Sequence, residues 1–187
     1  MALMSAAGLG RRFGSQWVFR GVEIELSPGD ALCVIGSNGS GKSTLLRILA
    51  GLLSATEGSV VRPAALGYSA IDLALWPQLT ATEHLELAAA LRGVAVSDGL
   101  RRVGLADAAH KPVGQFSTGM RARLKLALAV QHSPEVLLLD EPSASLDDEG
   151  RSLIEGAVAE QLRRGAVVIA TNDPGDRRHA THELELG

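Results

Sequence analysis

Apolar positions along the chain fall into two kinds of run. Continuous runs at residues 31–35, 136–139 and 167–170 read as strands buried on both faces of a sheet. Residues 22–26 alternate instead, as a half-buried strand does, and Ser27-Pro28-Gly29-Asp30 turns the chain after them. Residues 59–61 and 65–69 read as short strands, and 183–186 as a last one. Helical spacing marks residues 43–50, closed by Gly51, and then 118–131 and 148–163. From Thr80 to Leu105 the spacing is helical too, broken near Gly93 and Gly99. Strands alternating with helices predict an α/β layer with a mostly parallel sheet. One domain over residues 1–187 is expected, with 80–115 as a helical subdomain inside it.

Composition narrows the class. At 187 residues the chain can bury a full core. Its 46% hydrophobic and 21% charged residues fit an ordinary globular protein. A net charge of −3 gives no generally basic surface of the kind that seeks nucleic acid, although local basic patches stay open. Cys33 is the single cysteine, so neither an intrachain disulfide nor a cysteine zinc cluster can form, which suits a reducing cytosol. In "MALMSAAGLGRRF" the arginines follow the apolar part, against the order of a secretion signal. No apolar run approaches the ~18 residues of a spanning helix. A role at a membrane would therefore run through a partner.

The chemistry is concentrated in a few stretches. "GSNGSGKST", from Gly36 through Ser37, Asn38, Gly39, Ser40, Gly41, Lys42 and Ser43 to Thr44, contains G-x-x-x-x-G-K-[ST] between a buried strand and a helix. In this P-loop the glycines let backbone N–H groups ring phosphates. Lys42 can reach the β- and γ-phosphates of ATP, the Ser43 hydroxyl can ligate Mg²⁺, and the following helix points its positive end at the same charge. In "VLLLDEPSASLD" the apolar strand ends in Asp140, able to hold Mg²⁺, and Glu141, placed to take a proton from an attacking water. "TNDPGD" is not the Asn-Lys-x-Asp base reader of a GTPase. In "QFSTGMRARLKLALAV" Ser117 opens a long helix with Gly119 beside it, either as a phosphate site or as a plain helix cap.

Taken together, these motifs resemble the ATP-binding cassette (ABC) ATPases over nearly the whole chain. "GSNGSGKST" matches the family's phosphate loop, "FSTGM" its signature, "LLLDEP" its magnesium and base strand, and "SASLD", ending in Asp147, its dimer-contact loop. "RRFG" lies where the family places an adenine-stacking aromatic, which points to Phe13, with Trp17 the second choice and core packing open for both. The resemblance implies a P-loop core with a small antiparallel β part and a short helical subdomain. It implies a dimer on ATP, with itself or a second ABC subunit, each nucleotide lying between Gly36–Thr44 of one subunit and Ser117/Gly119 of the other. It also implies a transmembrane partner and a place on the inner, cytoplasmic face of the membrane. A narrower likeness, carried by "PGDALCVIGSNGSGKSTLLRILAGL" and "LTATEHLELAAALRG", is to the heme-export ATPases of cytochrome c maturation, although other small export ATPases share these features.

Two positions depart from the family's pattern. The Gln that helps hold Mg²⁺ is expected at Ile71 or Asp72, and Gln78 comes too late. Asn172 stands where a His would contact the γ-phosphate; an amide can donate a hydrogen bond but cannot carry charge or shuttle a proton. Losing a charge-stabilising donor there costs about 10²–10³ in rate. With Glu141 intact, slow hydrolysis is expected. A soluble ABC protein acting on DNA or ribosomes and a weakly hydrolysing nucleotide switch are the competing readings. The stretch 71–79, with Leu73, Leu75 and Trp76, is either a partner-docking loop or buried inside the helical insertion.

Overall fold

The computed structural model describes residues 2–187. Strands β1 (Met4–Phe13) and β2 (Gln16–Leu26) form an antiparallel hairpin. Strand β3 (Ala31–Ile35) leads through the glycine loop into helix α1 (Lys42–Leu49), and β4 (Glu57–Val61) then returns to pair antiparallel with β1. Next come β5 (Leu66–Ala70), α2 (Ala81–Arg92), a single turn α3 (Gly99–Arg102) and α4 (Thr118–Val130). The chain closes with β6 (Val136–Asp140), α5 (Asp148–Leu162), β7 (Ala166–Ala170) and β8 (His182–Glu185). The small sheet has order β2-β1-β4, and the main sheet β5-β6-β7-β3-β8 is parallel throughout.

Why the central strands read as unbroken apolar runs is plain from their two faces. Val34, Leu138 and Val168 point toward α1, meeting Leu45, Ile48 and Leu49, and share that core with Leu9 and Ile24 of the hairpin. Their neighbours Cys33, Leu137, Leu139, Val167 and Ile169 belong to the opposite core, with Leu124 of α4 and Ile154 and Val158 of α5. Each strand residue is thus covered whichever way it points.

One strand was not read from the sequence, and two further features add to that reading. Residues 4–13 form a long strand although "MSAAGLGRRF" is rich in Ala and Gly. Pairing on both edges, with register shifts around Leu9, imposes the strand where propensity does not. The helical tract expected from Thr80 to Leu105, broken near Gly93 and Gly99, is a helix to Arg92, where Gly93 at φ 65° caps it, and resumes from Gly99 as the single turn α3. At its start Thr80 and Glu83 form a reciprocal capping box. Buried side chains of residues 80–115, among them Leu85, Val103 and Val113, lie in the same core as one face of the sheet.

Candidate functional site

The glycine loop is shaped by what presses against it. Gly36 sits at φ 149°, and a Cβ there would lie 2.2 Å from the Leu186 carbonyl oxygen. At Gly41, φ 102°, a Cβ would meet Val18 Cγ1 at 2.4 Å, so the hairpin buttresses the loop from the other side. Only glycine fits either position. Lys42, 6% exposed, turns its ammonium back into the loop. Nζ donates to the carbonyls of Gly36 at 2.8 Å and Ser37 at 3.2 Å, and to Asn172 Oδ1 at 3.1 Å.

Asp140 ends β6 beside Ser43. Burial pushes its carboxyl above the ordinary range, while the Ser43 hydroxyl and the more distant Lys42 ammonium pull the other way. One carboxyl oxygen, Oδ1, is buried without a hydrogen-bond partner. An acidic oxygen left unmatched next to a hydroxyl is the donor set a hard cation takes, so the residues present fit Mg²⁺.

Glu141, next in the chain, adopts φ 48° while its N–H bonds the Ala170 carbonyl at 2.8 Å. That left-handed backbone costs about 1–3 kcal/mol in a non-glycine residue and persists because its surroundings hold it. Its carboxylate accepts from the backbone N–H of Asn172 at 3.4 Å and from Asn172 Nδ2 at 3.3 Å. Nδ2 also donates to Asn38 Oδ1 at 2.7 Å. Lys42 can only donate and Glu141 can only accept, so the amide of Asn172 can face them in one orientation alone. Lys42, Asn38, Glu141 and Asn172 therefore converge at the carboxyl ends of parallel strands, where open α/β sheets bind ligands.

Other expected residues lie apart from this group. Ser117 is exposed and caps α4, its Oγ accepting from Met120 N–H at 3.2 Å. Gly119 faces the Ser145 carbonyl oxygen, 3.6 Å from where its Cβ would stand, within the "SASLD" loop. Asp147 caps α5 through Gly150 N–H at 2.9 Å. Among the described residues, no hydrogen bond joins Ser117 or Gly119 to Lys42, Asn172 or Glu141. Phe13, 52% exposed at the hairpin tip, carries the Arg11 guanidinium 4.3 Å from its ring centroid. Trp17 is half-buried and carries two guanidinium groups, Arg20 at 4.2 Å and Arg12 at 5.4 Å, where Phe13 carries one. Asp72 forms an ion pair with Arg47 of α1, and its charge still helps raise the Asp140 carboxyl. Lys125 of α4 donates to the Ile71 carbonyl.

Sequence reasoning reached one further feature in part and passed over another. The first is an apolar groove between the turn after α1, β5 and α2, lined by Leu52, Tyr68, Leu87 and Leu91 as well as the expected Leu75 and Trp76. Trp76 is 58% exposed and Ile71 57%, so the 71–79 stretch is not buried in the insertion. The Trp76 backbone N–H bonds His84 Nε2 at 3.0 Å, which pins the groove's rim to α2. The other is a web of hydroxyls and carboxylates behind Asn172, formed by Ser143, Thr171, Asp173 and Asp176. Ser143 opens the "SASLD" loop and Thr171 and Asp173 flank Asn172, but nothing in their spacing joins those two stretches through Asp176.

Comparison with known proteins agrees with this geometry. Residues 19–144 match the ABC transporter family. The chain is 37% identical over 186 residues to the cytochrome c biogenesis ATP-binding export protein CcmA of Hyphomonas neptunium, covering 98% of this chain and 96% of that one. It is 36% identical to the CcmA of Cupriavidus necator, covering 100% of this chain and 86% of that one. A solved ATP-binding subunit of an ABC transporter superposes with a TM-score of 0.90 at 25% identity, over 98% of this chain and 85% of that one.

Proposed function

The chain belongs to the ABC transporter family and is an ATPase of that family, and from that premise we propose that it powers an exporter in cytochrome c biogenesis. Support for the cargo comes from the relatives named for that process, which align along nearly the entire chain. The observation that carries the catalytic reading is the convergence of Lys42, Asn172 and Glu141 beside the unmatched oxygen of Asp140.

In this proposal ATP lays its phosphates along Gly36–Thr44. Lys42 exchanges its carbonyl and amide acceptors for β- and γ-phosphate oxygens, a charge-assisted gain. Mg²⁺ held by Ser43 and Asp140 would neutralise charge on those oxygens. Glu141, already oriented by two N–H groups of Asn172, takes the proton of the attacking water. Asn172 donates to the γ-phosphate without carrying charge, which makes for slow turnover. Phe13 offers a ring face to adenine.

Ser117 and Gly119 are exposed or part-exposed and separate from this cluster, so in the proposal they complete the site of a second subunit, either another copy or a second ABC chain. The chain acts as one nucleotide-binding domain over residues 1–187, with 80–115 as its helical subdomain. No helix of the described residues is long and apolar enough to cross a membrane. The groove at Leu52, Trp76 and Leu91 then seats a transmembrane partner from the cytoplasmic side, and no nucleic acid is involved. Two measurements test the proposal. Phosphate release from Mg-ATP must vanish in Glu141→Gln with ATP binding kept. Membrane pull-downs must recover a multi-helix partner that Trp76→Asp loses; recovery by both forms would refute the docking assignment.

A further inference from the structure

Behind the reacting groups, one carboxylate ties two loops together. Asp176 lies half-buried in the short turn Pro174–Arg177 that follows Asn172. Its Oδ2 accepts from the Thr171 hydroxyl at 2.6 Å, and its Oδ1 from the hydroxyl of Ser143. Both hydroxyl-bearing residues are buried, Thr171 completely and Ser143 to 5% exposure. Thr171 Oγ1 in turn accepts from the Asp173 N–H at 2.9 Å, so the residues on either side of Asn172 are both anchored. Asp173 adds a bond to Arg151 of α5 at 2.6 Å.

The consequence is geometric. Ser143 begins the loop that runs through Ser145 to Asp147 and into α5, and Arg151 lies one turn beyond its end. Bonds from residues 171–176 thus grip that loop at its start and just past its finish. Glu141 lies two residues before Ser143, and Asn172 directly follows Thr171. Among the hydrogen bonds described, Asp176 reaches neither Lys42 nor Glu141, so any effect on turnover passes through other residues. A carboxylate suits the place because it accepts from both hydroxyls at once, leaving a Thr171 lone pair for the Asp173 N–H.

We propose that Asp176 is a positioning residue, locking the Glu141–Asn172 pair to the 143–147 loop so that this tie sets the geometry of hydrolysis. This rests on the catalytic reading of Glu141 and Asn172. The decisive variant is Asp176→Asn, which keeps the shape but turns one acceptor into a donor and can receive only one of the two hydroxyls. The expected result is a kcat lowered about 10- to 100-fold with KM and ATP affinity held within about threefold, the split that misplacement of reacting groups produces. Ser143→Ala should lower kcat in the same direction, and adding it to Asp176→Asn should change nothing further, because both cut the same tie. A folded Asp176→Asn protein with wild-type kcat overturns the proposal, as do additive effects of the two changes. Equal loss of kcat, affinity and thermal stability also overturns it, reducing Asp176 to a structural residue. Should Asp176→Asn fail to fold, Ser143→Ala decides alone: lowered kcat supports the tie and unchanged kcat refutes it. Wild-type turnover that survives Glu141→Gln would instead sink the catalytic reading itself.

Discussion

Replacing Asn172 with His tests the catalytic reading at its most unusual residue. Asn172 makes three side-chain bonds: from Lys42 Nζ at 3.1 Å, to Asn38 at 2.7 Å and to Glu141 at 3.3 Å. A neutral imidazole has one donor and one acceptor, so it can keep Lys42 and Glu141 but must release Asn38. The Lys42 ammonium disfavours the imidazolium and the Glu141 carboxylate favours it, so the ring can take up or hand on a proton where the amide cannot. The released bond costs about 1 kcal/mol in the resting protein, a minor loss at an exposed side chain. The gain is a group that can bridge Glu141, the water and the γ-phosphate. A well-placed donor at developing charge is worth about 10²–10³ in rate, which bounds the increase from above. Steady-state phosphate release at saturating Mg-ATP should therefore rise by at least about tenfold, equivalent to about 1.4 kcal/mol of barrier. ATP affinity should hardly move, because Lys42 and the loop amides are untouched. A His variant that binds ATP normally and hydrolyses no faster refutes the reasoning, showing that the site is tuned around the amide.

Further outcomes are expected. Lys42→Ala should lose about 1.5–3 kcal/mol of ATP binding energy, the worth of a hydrogen bond to a charged group, read by titration calorimetry on a protein that stays folded. Phe13→Ala should weaken ATP binding by about 1–3 kcal/mol through lost base stacking, and Trp17→Ala should not, since two guanidinium groups lie over its half-buried ring against one at the exposed Phe13; the reverse order would move the platform. Without Mg²⁺ and nucleotide, Asp140→Asn should raise the Tm at neutral pH. Burial raises the Asp140 carboxyl pKa, so the charged form weakens the fold above that pKa, and the benefit of Asn should shrink as pH falls through the carboxylate range. Iodide should quench Trp76, 58% exposed, more than Trp17, and membrane partner binding should abolish that quenching; a protected Trp76 in the free subunit would contradict the open groove.

Much of this was legible in the chain. The loop from Gly36 to Thr44 could be read because its function is local: backbone N–H groups and one lysine close on phosphate within nine consecutive residues. The same holds for Asp140 and Glu141, which end an apolar strand, and for the β3, β6 and β7 runs, whose unbroken hydrophobicity requires cover on both faces. Strand β1 was illegible for the opposite reason. Its Ala and Gly residues carry no strand preference, and only pairing with β2 and β4 extends them.

Position in space was another matter. Asn172 stands 130 residues from Lys42, and the parallel order that sets β7 between β6 and β3 brings their side chains to hydrogen-bonding distance. Motif order named both residues, but only the sheet could join them. It likewise turned Asp72 toward Arg47, left Trp76 on an open groove and drew Asp176 under Thr171 and Ser143. Sequence by itself determined which groups can bind phosphate and move a proton, because that follows from side-chain chemistry and short-range backbone geometry. Tertiary structure alone decided which of them meet, because strand order and loop packing rest on contacts between residues far apart in the chain.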